Sequence, residues 1–216
     1  ATLSENITIQ HTLELIDGII SVDSGKTITI RNKNKDAVTY GHANSFINGT
    51  ITRYIYSNLS GSNYRYIFPV GHTGSSYLPF EINNITSASS PQPAITVSAY
   101  DNCTGTAGTD ISALSTNEYW KIEYASSVSD GTFSAGRETN LAPLNALAYS
   151  TTSSGTYELI HSSVYADTAI INSNASTEGF VTFAVNNTIT PVVYYSKTGT
   201  SIDLTNPANW TENADG

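Results

Sequence analysis

Apolar and polar residues alternate along much of the chain. Asn6-Ile7-Thr8-Ile9-Gln10, Thr12-Leu13-Glu14-Leu15, Lys26-Thr27-Ile28-Thr29-Ile30-Arg31 and Ile95-Thr96-Val97-Ser98 all follow a period of two. Successive side chains of a strand point to opposite faces, so this period predicts strands with one face in a core and one in water. Asp17-Gly18, Ser24-Gly25, Asn48-Gly49, Gly61-Ser62-Asn63, Gly74-Ser75, Asp130-Gly131 and Ser154-Gly155 punctuate the pattern. Gly, Asn and Asp tolerate the positive φ of tight turns, so these pairs separate the strands. The one helix-compatible stretch, Glu138 to Tyr149, carries Pro143 and two Asn. It is predicted as loop.

Two textures divide the chain. In residues 1–45 the pulses Ile7-Thr8-Ile9, Leu13-Glu14-Leu15, Ile19-Ile20-Ser21-Val22 and Ile28-Thr29-Ile30 follow one another closely. They suit the rungs of a β-solenoid, or a meander. In residues 46–190 the strands lengthen and aromatic residues gather, as in a sandwich core where large side chains bridge two sheets. Ser87 to Pro93 is predicted to cross between sheets, because its prolines cannot join a ladder. Asp101 to Asn117 is predicted as a second long loop. The expected fold class is therefore all-β. Short solenoid-like or meander strands are followed by an antiparallel β-sandwich of immunoglobulin-like or jelly-roll-like kind, and residues 191–216 form a strand or linker toward a next unit.

Composition narrows the class. The 216 residues include 28 Ser, 29 Thr and 20 Asn, and only 12% are charged. Helical bundles need far more Ala, Leu, Glu and Lys. A net charge of −9, with nine Lys and Arg in total, argues against nucleic acid as a partner. No apolar run approaches the length of a membrane-spanning helix, and Ala1 reads as a processed start. Cys103 is the single cysteine, so an intramolecular disulfide, a Cys-rich zinc site and a CxxC redox pair are excluded. Eight Asn-x-Ser/Thr triplets begin at Asn6, Asn48, Asn58, Asn84, Asn102, Asn174, Asn186 and Asn209 and are glycosylation candidates.

Four stretches carry a family resemblance. They are Ser45-Phe46-Ile47-Asn48-Gly49-Thr50-Ile51-Thr52-Arg53; Tyr66-Ile67-Phe68-Pro69-Val70-Gly71 with Tyr77-Leu78-Pro79-Phe80; Glu118-Tyr119-Trp120-Lys121-Ile122; and Gly179-Phe180-Val181-Thr182-Phe183-Ala184. Their order resembles a β-module repeated in large type IX-secreted surface and adhesin proteins of Bacteroidetes-type bacteria. The resemblance spans about residues 1–190 and implies a stalk or adhesive unit, without a catalytic centre, at the cell surface or outside the cell. Tyr194-Tyr195-Ser196-Lys197 and Asn206-Pro207-Ala208-Asn209-Trp210-Thr211 resemble the opening of the next module, which implies neighbouring copies or modules as partners.

The same residues have physical readings. Pro69 removes a ladder donor and marks a corner, and Gly71 is expected in a backbone conformation closed to other residues. Tyr119, Lys121 and Glu123 share one strand face; Trp120, Ile122 and Tyr124 share the other, with Trp120 as the plug between sheets.

Catalytic chemistry has little footing. His11, His42, His72 and His161 fall at no zinc-ligand spacing, and no GxSxG elbow, P-loop or GxGxxG occurs. Neither a cofactor nor a metal is expected, and Asp101-Asn102 with Asp110 is thin for a calcium loop. An intramolecular Lys–Asn isopeptide needs a buried Lys beside a buried acid, and Lys121 and Glu123 share a strand face, against the plainer reading of a solvated pair. The expectation is a non-catalytic structural or adhesive module, with a filament subunit joined by strand exchange as a variant. Ile7, Ile9, Leu13 and Leu15 mark the donor strand. The alternative is a carbohydrate-binding module in which Tyr54, Tyr56, Tyr64 and Tyr66 form a stacking platform.

Overall fold

The computed structural model describes residues 1–61, 63–73, 76–139, 141–161, 170–173, 178–187, 195–196 and 210–211. The chain is all-β. The first nine strands are β1 (Thr2–Leu3), β2 (Ile7–Ile9), β3 (Ile20–Val22), β4 (Ile28–Ile30), β5 (Ile47–Asn48), β6 (Thr50–Tyr54), β7 (Tyr66–Phe68), β8 (Val70–His72) and β9 (Ser76–Tyr77). Then come β10 (Phe80–Ser87), β11 (Ala94–Asp101), β12 (Thr106–Ala107), β13 (Ile111–Leu114), β14 (Glu118–Tyr124) and β15 (Val128–Gly136). The last six are β16 (Ala146–Ser150), β17 (Thr156–His161), β18 (Ile170–Ser173), β19 (Gly179–Asn186), β20 (Tyr195–Ser196) and β21 (Trp210–Thr211).

The first strands deal alternately into two sheets, which is how a solenoid forms. β1, β3, β5 and β8 stack in parallel in one sheet; β2, β4 and β6 stack in parallel in another. A third wall begins where Leu13 bridges Val38, also in parallel. The parallel stacking does not stop near residue 45 but runs through β8. One residue, Gly49, makes the corner between β5 and β6. Its φ of +141° and a Val22 Cβ that would lie 2.7 Å from any added Cβ leave room only for glycine there.

From β6 the same sheet continues as antiparallel strands, in the order β6-β11-β14-β19-β16-β17, with β12 beyond β17. β7, β10, β15 and β18 form a separate four-stranded antiparallel sheet. Pro69 lies between β7 in that sheet and β8 in the parallel one, the corner expected of a residue without a donor. Gly71, expected at a special φ, instead lies inside β8, opposite Asn48 and Tyr77. Residues 88–93 connect β10 to β11 in different sheets, as expected.

Trp120 is fully buried, and its Nε1 donates to the Leu78 carbonyl at 3.0 Å. Its ring meets Phe183 edge-on at 5.1 Å and Phe80 of the four-stranded sheet at 5.9 Å. A second, smaller cluster of Cys103, Ile111, Ala146, Ala148, Tyr157 and Ala184 lies beside it. This cluster explains two differences from expectation. Within residues 101–117, β13 forms where Ile111 is buried and Leu114 half-buried, and β12 forms by pairing with β17. Residues 146–150 form a strand because β17 and β19 flank them, so tertiary pairing overrides local propensity.

The chain divides into two compact units, Ala1–Asn186 and Asn187–Gly216. In the second, β20 pairs with β21 antiparallel.

Candidate functional site

The four tyrosines expected to form a platform occupy three environments. β6 ends at Tyr54, so the alternation that would place Tyr54 and Tyr56 on one face stops before Tyr56. Tyr54 stays on the sheet, with the Arg31 guanidinium 5.7 Å from its ring centre. Tyr56 and Tyr64 come together at the surface, their rings 5.5 Å apart and each residue 39% exposed. Tyr66 is fully buried. Its hydroxyl donates to the Lys33 carbonyl at 2.9 Å and accepts from the Tyr56 N–H at 3.3 Å. Burial pushes its pKa up to about 12.

Tyr66 is inside because Arg53 is inside. Arg53 is fully buried in β6 and lies 5.1 Å from the Tyr66 ring centre. It donates to the carbonyls of Ile67 (2.8 Å), Asn34 (3.0 Å) and Lys35 (2.9 Å). Burial lowers its pKa to about 10, so it remains a cation at neutral pH. In β6, Arg53 shares the core face with Ile51, although a guanidinium is costly to bury. The reason is the set of carbonyls at the 3-10 turn Lys35–Ala37 and at β7, which a planar guanidinium can bridge. An ion pair between buried Glu118 and half-buried Arg137 was equally unread. Ser115 Oγ donates to the same carboxylate at 2.7 Å. Arg65 and Glu81 form a further ion pair.

The residues expected to donate a strand are seated in their own chain. Ile7 and Ile9 are half-buried in β2, which pairs with β4. Leu13 bridges Val38, and Leu15 is buried. The hydrogen bonds Ile7 N–H to Thr27 O and Arg31 N–H to Ile9 O turn the main-chain groups of Ile7 and Ile9 inward. Those of Thr8, between them, therefore face away from β4. The bonds from Ser21 N–H to Ala1 O and from Asp23 N–H to Leu3 O leave Thr2 in the same position on β1. Among the described residues, nothing pairs with these outer edges.

The glycosylation candidates differ in access. Asn6, Asn58, Asn84 and Asn102 are exposed, and the last three hold positive φ. Asn48 is half-buried in β5, and Asn186 is buried in β19. Asn174 and Asn209 lie outside the described residues. Lys121 Nζ meets Glu123 Oε1 at 2.8 Å with both side chains substantially exposed, the solvated arrangement rather than the buried one. His72 Nδ1 lies 3.4 Å from Asp101 Oδ2. No cluster of three metal-ligating side chains occurs among the described residues.

No family model, no curated protein and no solved structure matches the chain.

Proposed function

We propose that this chain is a non-catalytic structural and adhesive module of a secreted or cell-surface assembly, joined end to end with neighbouring modules or copies. The observation that carries this reading is the outer edge of the first rung. Among the described residues nothing pairs with the outer edges of β1 and β2, and an unpaired strand edge presents main-chain donors and acceptors to another strand. β1 and β2 present Thr2 and Thr8 in this way. Edges of this kind are ordinarily guarded by lysine, and the whole chain has five. The resemblance of Phe68-Pro69-Val70-Gly71 and Tyr77-Leu78-Pro79-Phe80 to repeated surface modules supports the same role. So does the antiparallel half, where Phe80 and Trp120 meet across two sheets in the manner of a β-sandwich.

The test removes the edge without touching the fold. Thr2→Pro and Thr8→Pro delete N–H groups that face away from the chain's own ladder. End-to-end association, followed by light scattering and negative-stain microscopy, is expected in the parent chain and lost in the double variant. Association unchanged by both prolines would refute the edge as the joint.

A second reading has its own observation. The exposed Tyr56–Tyr64 pair offers ring faces to a sugar. Retention on a glycan array, abolished by Tyr56→Ala and Tyr64→Ala, would favour a carbohydrate-binding module.

A further inference from the structure

Outside the core, the pairing registers build a grid of hydroxyl groups. Thr8 lies opposite Thr29, Thr29 opposite Thr52, and Thr52 opposite Thr96. A second row runs alongside, two residues away on each strand. Thr50 lies opposite Ser98. Thr27 continues that row, since its neighbour Ile28 pairs with Ile51, and the Thr27 N–H donates to Asn6 Oδ1 at 3.0 Å. The residues between the rows, Ile28, Ile51 and Val97, are buried on the opposite face and back the grid with packed core.

The grid has three physical properties. It is periodic in two directions, with about 4.8 Å between strands and about 6.7 Å between the rows along a strand. It is uncharged: all eight positions, Asn6, Thr8, Thr27, Thr29, Thr50, Thr52, Thr96 and Ser98, are neutral in a chain of net charge −9. The charges begin at its margins, with Arg31 beside Tyr54 on one side and the Lys121–Glu123 pair on another. It is also stiff. Thr has a restricted χ1, and hydroxyl contacts of 2.8 Å tie Thr50 to Ser98 and Thr52 to Thr96. Thr29, Thr50, Thr52 and Thr96 remain half-exposed, Thr8 is exposed, and Ser98 is the buried member.

We propose that this hydroxyl grid, on the outward face of β2, β4, β6 and β11, is an ice-binding surface. A repetitive solid is the ligand that a repetitive, rigid, neutral face complements, and the two spacings approach those of oxygen atoms on faces of ice. The paired hydroxyls of Thr50 with Ser98 and of Thr52 with Thr96 keep lone pairs for the lattice, and each threonine adds a methyl that leaves neighbouring water to order around it. Charged groups would hold their own hydration shells and oppose the match, and the grid has none. Pre-set rotamers lower the entropy lost on contact. A crystalline polysaccharide is disfavoured, because sugar faces are held by stacked rings, and Tyr54, the ring at the grid's edge, lies beside Arg31.

The experiment grows ice slowly from a solution of the full chain and measures the protein taken into it, together with thermal hysteresis and inhibition of recrystallisation. Uptake is expected for the parent and for Ser89→Lys, a substitution on an exposed loop outside the grid. It is expected to be lost in Thr29→Lys/Thr52→Lys, with unchanged circular dichroism. Thr29→Val/Thr52→Val keeps the shape without the hydroxyls and serves if the lysine variant does not fold. Exclusion of the parent from ice overturns the proposal. So does equal uptake of the folded grid variants, or pelleting with crystalline cellulose or chitin in place of ice. The grid variants leave the main-chain edges at Thr2 and Thr8, on which the proposed function rests, unsubstituted, so the two readings fail separately.

Discussion

Replacing Trp120 with Phe tests whether one side chain holds the sheets of the first unit together. The indole is fully buried and donates to the Leu78 carbonyl at 3.0 Å. Phe keeps a ring but loses that donor, leaving a buried carbonyl without it, at a cost of about 1–3 kcal/mol. The missing ring atoms remove roughly two buried carbons at about 0.8 kcal/mol each. Weakening of the edge-on contact with Phe183 adds about 0.5 kcal/mol or more. The sum is about 3–5 kcal/mol, the range for truncating a buried aromatic residue. For a unit of this size that lowers Tm by about 6–20 °C. Urea unfolding followed by far-ultraviolet circular dichroism should show a lower midpoint at unchanged slope. Circular dichroism is the probe because the substitution removes a fluorophore. A loss under about 1 kcal/mol would refute the reasoning, since ordinary surface substitutions reach half of that.

Three further outcomes follow from the structure. The Tyr66 phenol titrates at about 12 in the fold against 10.0 outside it, chiefly because it is buried. The unfolded chain therefore loses this proton first. The contribution is whole below pH 10 and declines, by roughly 2–3 kcal/mol in all, as pH rises to about 12. Stability against pH should fall less steeply over that window in Tyr66→Phe, and an equal slope would exclude Tyr66 as the source. Gly49→Ala forces a side chain into φ +141° and against Val22, so thermal unfolding should show a loss of at least about 2 kcal/mol. Arg53→Lys keeps the charge but cannot span the carbonyls of Ile67, Asn34 and Lys35 together. A loss of about 1–3 kcal/mol is expected in denaturant titration.

Alternation and turn residues determined much of this protein by themselves. A period of two needs no knowledge of the partner strand, so the all-β class, the solenoid-like start and the faces of β14 were legible. The same holds for the corner at Pro69, because a missing N–H is a property of the residue alone. The hydroxyl-bearing residues were visible in sequence too, but only as polar positions. That Thr8, Thr29, Thr52 and Thr96 form one row depends on register between strands separated by loops of unequal length, which no local pattern encodes. The tyrosines were separated for a similar reason. β6 stops at Tyr54, and Tyr66 turns inward to meet Arg53, a pairing between residues 13 positions apart on strands of different sheets. β12, β13 and β16 formed where local propensity was weak, since their stability comes from neighbours across the sheet. Sequence set which side of each strand faces water. The tertiary fold decided which strands lie side by side, and so which surface those sides compose.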